Sequence, residues 1–316
     1  MLKNAMLNNG SLTTFNLEKA ELWAIVLNFT LTPIVLVFFV LLIMYKKRMQ
    51  RLRGGLRREL ATQINMAIFF NGLYSLRLVL TDLMVVASGL LAALKPNSAD
   101  RVCFWTSVAT SSVLDCIGLT GFAFMWYRVL LLYEQPMLRH LKTRLTIAAS
   151  RAALLLITLK SLAYSVWFVA SRRVRFDGDR GCMVGYKRGY SMTPTACLNA
   201  VMFLTFFMCA ALYVKPLWAL LSRVSPDGVA TVKTKTERRL FTITCLSTLG
   251  VVVSLVSVFG AIVLNFFVLV GHYPSYLRFT ANNVTVALFG AQLCLGLGKF
   301  KRFVKHLGTR GQYREF

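Results

Sequence analysis

The stretch Cys103–Arg128, "CFWTSVATSSVLDCIGLTGFAFMWYR", decides the fold class of this protein. It contains one carboxylate, Asp115, and no other charged group before the arginine that closes it. At 1.5 Å per residue, the 25 steps from the cysteine to the arginine cover about 37 Å of helix, slightly more than the hydrocarbon thickness of a bilayer. The cysteine therefore belongs at one membrane face and the arginine at the other, with Asp115 near the midplane.

Similar stretches recur along the chain. Hydrophobic residues make up 56% of its 316 positions and charged residues only 16%, which excludes an ordinary soluble protein. Seven runs reach the roughly 20 residues that a helix needs to cross a membrane. The runs are Leu22–Tyr45, Leu60–Thr81, Val102–Leu132, Leu145–Ala170, Gly189–Val214, Leu240–Gly271 and Phe279–Gly298. The sequence therefore predicts an all-α integral membrane bundle of seven helices.

Basic residues predict the orientation of the bundle. The segment "KKRMQRLRGGLRRE" (46–59) and the tail after the seventh run are rich in lysine and arginine, which favours the cytoplasmic side for both. The N-terminus then lies outside, and residues 1–21 lack the features of a cleavable signal peptide. We expect an extracellular segment 1–21, a transmembrane domain 22–298 and a cytoplasmic amphipathic helix and tail 299–316, in the plasma membrane. Asn9 opens an Asn-Gly-Ser glycosylation triplet on the outer segment.

The predicted outer loop 171–189, "SRRVRFDGDRGCMVGYKRG", departs from this charge rule because it holds six basic residues against two aspartates. We interpret it as a solvated loop that braces lipid head groups, with an electropositive mouth for an anionic ligand as the alternative. It also carries Cys182, which would share an oxidising compartment with Cys103, where a disulfide between them is able to form. The other five cysteines lie within the predicted spans, where they serve as small apolar side chains.

This layout resembles a rhodopsin-like (class A) G-protein-coupled receptor. The family has a cysteine at the outer end of span three and a partner cysteine in the second outer loop. It also has an arginine at the inner end of span three, with the same separation from the span-three cysteine as Arg128 has from Cys103 here. The resemblance implies a Cys103–Cys182 disulfide and gives Arg128 the role of the family's motif arginine. Pro136 is similar to the proline of the second inner loop. The segment "KFKRFVKHL" (299–307) resembles the surface-lying eighth helix, with Phe300, Phe303, Val304 and Leu307 on one face.

Several family signatures are missing. Tyr127 stands where the family has an acid before the arginine, and span six contains no proline. Gly290 and Cys294 replace the asparagine and tyrosine of the span-seven motif, and the aspartate expected near the middle of span two is absent. The switching machinery that depends on these residues is therefore in question. Compact loops with degenerate motifs also resemble herpesvirus-encoded orphan receptors.

Ionisable side chains inside the spans are candidate functional residues because they are costly in lipid. Arg77 and Asp82 diverge around their helix, which makes them poor partners for each other. A pair across spans, such as Arg77 with Asp115, would neutralise both charges and either pin helices together or serve a ligand. Lys160 in span four is expected to extend its ammonium group towards the membrane surface.

Other functional classes find little support. The three histidines have no metal-ligand spacing, and phosphate loops, catalytic triads and paired intramembrane carboxylates are absent from the sequence, so we expect no enzyme, metal or cofactor. The net charge of +25 lies mainly beside the spans, which suits membrane lipids better than nucleic acid. A channel or transporter that uses Arg77 and Asp115 is the alternative to a receptor.

The expected function is signalling to a heterotrimeric G protein from the inner ends of spans three, five and six. Arg128 would donate hydrogen bonds to the partner, and Tyr127 removes the neighbouring acid that restrains this arginine in the family, so activity without ligand is expected. The inner loop "SRVSPDGVATVKTKTERR" (222–239) would supply the rim of the coupling cavity. Its candidate coupling residues are Glu237, Arg238 and Arg239. An extracellular ligand is not identified.

Overall fold

The computed structural model describes residues 10–53, 58–91, 96–136, 138–177, 181–191, 193–221 and 275–295, with isolated positions between 244 and 303. The described chain is mostly helical. Its helices are α1 (Gly10–Arg53), α2 (Arg58–Leu91), α3 (Pro96–Tyr133), α4 (Arg144–Ser171), α5 (Thr193–Leu221) and α6 (Ser275–Leu295). A 3₁₀ turn, Arg139–Leu141, precedes α4, and two strands, β1 (Arg172–Asp177) and β2 (Gly181–Tyr186), follow it.

Five of these helices are long and apolar enough to cross a membrane, namely the ones from α1 to α5. They coincide with the first five predicted spans, and α6 occupies most of the predicted seventh. The predicted sixth span, Leu240–Gly271, lies largely outside the described residues, so the count of seven stays a prediction. The helical membrane class agrees with the sequence, but the all-α prediction omitted the hairpin of β1 and β2.

The helices form a bundle around an aromatic core. The first helix contacts α2 and α6, while α3 lies between α2 and α4, and α5 packs on α4. Fully buried aromatic rings fill the interior; among them are Phe70, Tyr74, Phe122, Phe124 and Tyr213. Many leucine and valine side chains are exposed, which is the distribution expected of helices that face lipid tails.

Exposed tryptophans mark both ends of the bundle. Trp23 and Trp105 lie near the end that carries the hairpin, called here the hairpin end, and Trp218 lies near the opposite end of α5. Each indole is at least 65% exposed. Tryptophan favours the two interfaces of a membrane, because its ring is apolar and its N–H is polar. The three residues therefore support a bundle that spans the bilayer along its long axis.

The helix α3 approaches α6 closely at Gly121. A Cβ atom built at this glycine would overlap the ring of Phe289 on α6 and crowd Phe70 on α2. Small residues at helix crossings let the backbones come together in membranes. Gly121 therefore brings the middle of α3 against α2 and α6.

Two residues beyond α6 pack against the C-terminal part of α1, at the end of the bundle remote from the hairpin. The rings of Phe300 and Phe303 are both buried and each lies 5.4 Å from the ring of Tyr45. The guanidinium of Arg48 lies 5.9 Å from the centre of the Phe303 ring. These two phenylalanines belong to the predicted amphipathic face; Val304 and Leu307, its other members, lie outside the described residues.

Candidate functional site

The hairpin end is held by a disulfide between Cys103 on α3 and Cys182 on β2, whose Cα atoms are 5.6 Å apart. This is the disulfide that the family resemblance implies. Both cysteines are buried in a small apolar cluster with Met84, Ala99 and Val174. The crosslink therefore joins the hairpin to the start of α3 in a dry environment.

The hairpin has one buried and one exposed face. Its antiparallel register pairs Val174 with Val184 and Phe176 with Cys182, and these side chains pack towards the cluster around the disulfide. The backbone N–H of Phe176 donates to Asp100 Oδ1 of α3 at 2.6 Å. Because side chains alternate along a strand, Arg173 and Arg175 point to the opposite face, and both are exposed.

Arg172 differs from the other basic residues of this segment because it is fully buried. Its guanidinium lies 3.8 Å from the centre of the Tyr186 ring, as a cation–π pair. The Thr195 hydroxyl at the start of α5 accepts from the Tyr186 hydroxyl at 3.0 Å and from Trp167 Nε1 at 3.1 Å. The predicted solvated loop is therefore wrong for Arg172, which ties α4, the hairpin and α5 together.

Lys187 closes the junction between the hairpin and α4. Its backbone N–H donates to Ser171 O at 2.8 Å, and its ammonium group donates to Ala170 O at 2.8 Å. The last carbonyl groups of a helix lack partners within the helix. Lys187 therefore caps α4 and is not a freely solvated cation.

Two charged residues meet between α3 and α4 within the bundle. Lys160 Nζ donates to Asp115 Oδ1 at 3.0 Å, and Ser165 Oγ donates to Asp115 Oδ2 at 3.3 Å. The ammonium also lies 4.7 Å from the centre of the Tyr164 ring. Both charged side chains are less than a tenth exposed.

This pair corrects two predictions. The salt bridge of Asp115 is made with Lys160 and not with Arg77, and Lys160 does not extend towards the membrane surface. The physical reason is helix adjacency: α4 packs directly against α3, so a lysine on that face reaches the carboxylate. Position along one helix does not reveal which neighbour a side chain faces.

Arg77 is fully buried in a different part of the bundle. Its Nε donates to Asn283 Oδ1 of α6 at 2.6 Å, and its Nη1 donates to Thr110 O of α3 at 2.6 Å. The hydroxyl of Tyr74 donates to Asn283 O at 2.6 Å. The guanidinium therefore bonds to oxygen atoms of two helices besides its own.

The asparagine partner of Arg77 extends this contact to Asp82. Asn283 Nδ2 donates to Asn28 Oδ1 of α1 at 2.6 Å, and Asn28 Nδ2 donates in turn to Asp82 Oδ1. Thr32 Oγ1 donates to Asp82 Oδ2 at 2.6 Å. A chain of hydrogen bonds, called here the asparagine bridge, thus joins Asp82 to Arg77 through Asn28 and Asn283.

Sequence reasoning missed the asparagine bridge. Asn28 and Asn283 lie inside the predicted first and seventh spans, and both are buried. Amides in lipid-spanning segments are costly without partners, and that cost is the signal that points to polar contacts. Arg77 and Asp82, which are poor direct partners, are linked through these two amides.

Arg128 lies at the opposite end of α3, where its Nη2 donates to Leu293 O of α6 at 3.4 Å. Its guanidinium lies 4.3 Å from the centre of the Phe124 ring. Tyr127 beside it is half-buried, and Pro136 lies exposed in the turn that follows α3. Glu237, Arg238 and Arg239 lie outside the described residues, as does Asn9.

Two tyrosines hold α3 against α5 near Arg128. The hydroxyl of Tyr213 on α5 donates to Met125 O at 2.9 Å, and that of Tyr133 on α3 donates to Leu212 O at 2.8 Å. The two bonds run in opposite directions between the same helices. Arg128 therefore lies on a segment of α3 that is fastened to α5 on one side and contacts α6 on the other.

Within the described ranges, no three histidine, cysteine, aspartate or glutamate side chains are grouped so as to hold a metal ion. No protein-family model matches the chain, and no curated protein sequence matches it.

Proposed function

We propose that this protein is a seven-transmembrane receptor of the rhodopsin-like class that signals from the plasma membrane to a heterotrimeric G protein, with its N-terminus outside. The observation that carries the proposal is the construction of α3. This helix is crosslinked to the hairpin through Cys103 at one end and presents Arg128 at the other. Such a helix connects an outer loop with an inner coupling surface.

Arg128 is suited to bind a partner at the cytoplasmic end. A guanidinium has five donors in a fixed fork, and the last four carbonyl groups of a partner helix lack intrahelical donors. The bond from Arg128 to Leu293 O is long at 3.4 Å, which makes it a weak competitor. A helix that offers several carbonyl oxygens would therefore displace this contact readily.

The residue beside the arginine favours signalling without ligand. Tyr127 cannot form the ion pair that an acid at this position would make with Arg128. A charge-assisted hydrogen bond contributes about 1.5–3 kcal/mol, so its absence shifts the resting equilibrium by roughly tenfold or more towards the coupled state. The proposed receptor is therefore active in the absence of added ligand.

Purified protein in lipid nanodiscs, mixed with a panel of G proteins, tests the proposal through guanine-nucleotide exchange. Wild type is expected to accelerate exchange on at least one partner, and Arg128→Ala is expected to abolish that acceleration. Arg144→Ala is the matched control, because Arg144 is an exposed arginine at the same end of the bundle. Absence of exchange with every partner, or full activity of Arg128→Ala, contradicts the receptor.

The asparagine bridge favours a second candidate, a channel or transporter, because it runs between α1, α2 and α6 within the bundle. Against this candidate, Arg77 and Asp115 each have their own hydrogen-bond partners and form no ion pair with each other. Ion and solute flux into proteoliposomes distinguishes the two functions. Flux that Arg77→Leu abolishes, together with no nucleotide exchange, would favour transport.

A further inference from the structure

The hairpin lies across one end of the bundle. The first strand contacts α3 and α4, and the second contacts α2 and α6. Its buried face packs on Met84, Ala99 and Cys103, which belong to the ends of α2 and α3. Its exposed face is therefore directed away from these helix ends.

That exposed face presents two arginines, Arg173 and Arg175, called here the arginine face. They are two positions apart on β1, so their Cα atoms are about 7 Å apart on one side of the strand. Their partners across the hairpin are Gly185 and Met183, and the same register puts Asp177, the next position on this side of β1, opposite Gly181. Two arginines therefore stand against one aspartate along this side of the strand, and an external anion complements the remaining positive charge.

Further positive charge lies at the same end. Arg101 is exposed at the start of α3 and directly follows Asp100, whose carboxylate accepts the N–H of Phe176 on β1. Arg188 is exposed just beyond β2. The arginine face therefore continues into a broader cationic surface.

The position and composition of the arginine face discriminate among anionic partners. Lipid head groups surround the rim of a bundle, whereas this hairpin lies across the end of the bundle and contacts four of its helices. The core of a protein interface is rich in aromatic anchors, whereas Gly185 and Met183 are the neighbours across the hairpin here. A cationic surface whose strand positions carry no aromatic anchor suits a flexible linear polyanion.

We propose that the arginine face binds a sulfated polysaccharide of the cell surface. The guanidinium fork matches the oxygen atoms of a sulfate group, and repeated contacts along one chain add to each other. The proposal rests on the proposed orientation, with the hairpin outside. The disulfide of Cys182 supports that side, since disulfides persist in oxidising compartments.

Intact cells that make no sulfated polysaccharides of their own provide the test. The protein is expressed with an epitope before Met1, and fluorescent heparin binding is measured relative to surface staining of the epitope. Wild type is expected to bind heparin, and Arg173→Ser/Arg175→Ser to bind it about tenfold more weakly, as two exposed charge contacts contribute. The matched control Arg139→Ser/Arg144→Ser loses the same charge from exposed positions at the opposite end and should bind as wild type.

Three competitors separate the possible sources of negative charge. Desulfated heparin and poly-glutamate should compete poorly, and vesicles with anionic lipid should not displace heparin. Equal competition by poly-glutamate would overturn the proposal in favour of an acidic peptide, and displacement by the vesicles would do so in favour of lipid. Unchanged binding by the arginine double variant would also overturn it.

The outcome is separable from that of the receptor proposal. Absence of epitope staining on intact cells would defeat the proposed orientation and this inference with it. Normal staining and normal nucleotide exchange without heparin binding would overturn this inference alone. We expect Arg173→Ser/Arg175→Ser to retain wild-type basal exchange, because both side chains lie at the end remote from Arg128.

Discussion

Lys160 of α4 donates to Asp115 of α3 across 3.0 Å, and both side chains are almost completely buried. Removing two charges from water is costly, and a close, hydrogen-bonded partner offsets much of that cost. The pair therefore fixes how α3 is positioned along α4. Since α3 carries both Cys103 and Arg128, the pair also fixes the positions of these two residues relative to α4.

Lys160→Met should lower the stability of the protein more than removal of both charges. A single substitution leaves Asp115 buried without its cation, which costs about 3–5 kcal/mol, whereas Lys160→Met/Asp115→Leu leaves no buried charge. Thermal unfolding of the detergent-solubilised variants measures the difference. A double variant that melts below Lys160→Met would contradict this expectation, because it would show that the unpaired carboxylate is not the larger cost.

Gly121→Ala should destabilise the bundle, because the added methyl group meets the rings of Phe289 and Phe70. Overpacking of a tight contact typically costs about 1–3 kcal/mol. Gly118 is the matched control on the same helix, since a Cβ there meets nothing within 4 Å. Gly118→Ala should melt at or above the wild-type temperature, and equal melting of both variants would refute the close crossing of α3 and α6.

Mass spectrometry of non-reduced peptides should recover Cys103 linked to Cys182. Cys116 and Cys197 are free thiols and should be alkylated without prior reduction once the protein is unfolded, which controls for the reagent. Because the Cys103–Cys182 link holds the hairpin on α3, Cys182→Ser should also lower the melting temperature. Alkylation of both Cys103 and Cys182 in natively folded protein would contradict the crosslink.

The proposed topology predicts where epitopes are accessible. An epitope before Met1 should be stained on intact cells, and one after Phe316 only after permeabilisation. The physical basis is the basic segment 46–59, whose Lys46, Lys47 and Arg48 lie near the end of α1 and favour the cytoplasmic side. The reverse staining pattern would place the hairpin inside and refute this orientation.

Tyr127→Asp should reduce basal nucleotide exchange by roughly tenfold, because a carboxylate beside Arg128 forms a restraining charge pair that the tyrosine side chain cannot form. Tyr127→Asn is the control, since it is nearly isosteric with the aspartate but uncharged. Exchange should be measured at matched receptor concentration. An equal loss in both variants would assign the effect to the missing ring rather than to the new charge.

The sequence by itself determined the helical membrane class and the approximate positions of the first five spans. A run of about 20 apolar residues is stable in lipid only as a helix that satisfies its own backbone hydrogen bonds. The length and composition of the run are therefore enough to predict a membrane span. The family layout likewise indicated Cys103 and Cys182 as partners, and the structure contains that disulfide. The spans follow from local composition, and the disulfide pairing follows from the spacing of cysteines in the family that the layout resembles.

Only the tertiary structure decided the partners of the buried charges. Asp115 pairs with Lys160, and Arg77 is linked to Asp82 through Asn283 and Asn28, because helix packing determines which faces meet. The hairpin was also absent from the sequence-based fold, and its alternation separates buried Arg172 from exposed Arg173 and Arg175. A one-dimensional pattern fixes how far a residue lies along its helix, but the energetically decisive contacts depend on rotation about the helix axis and on the neighbour across it.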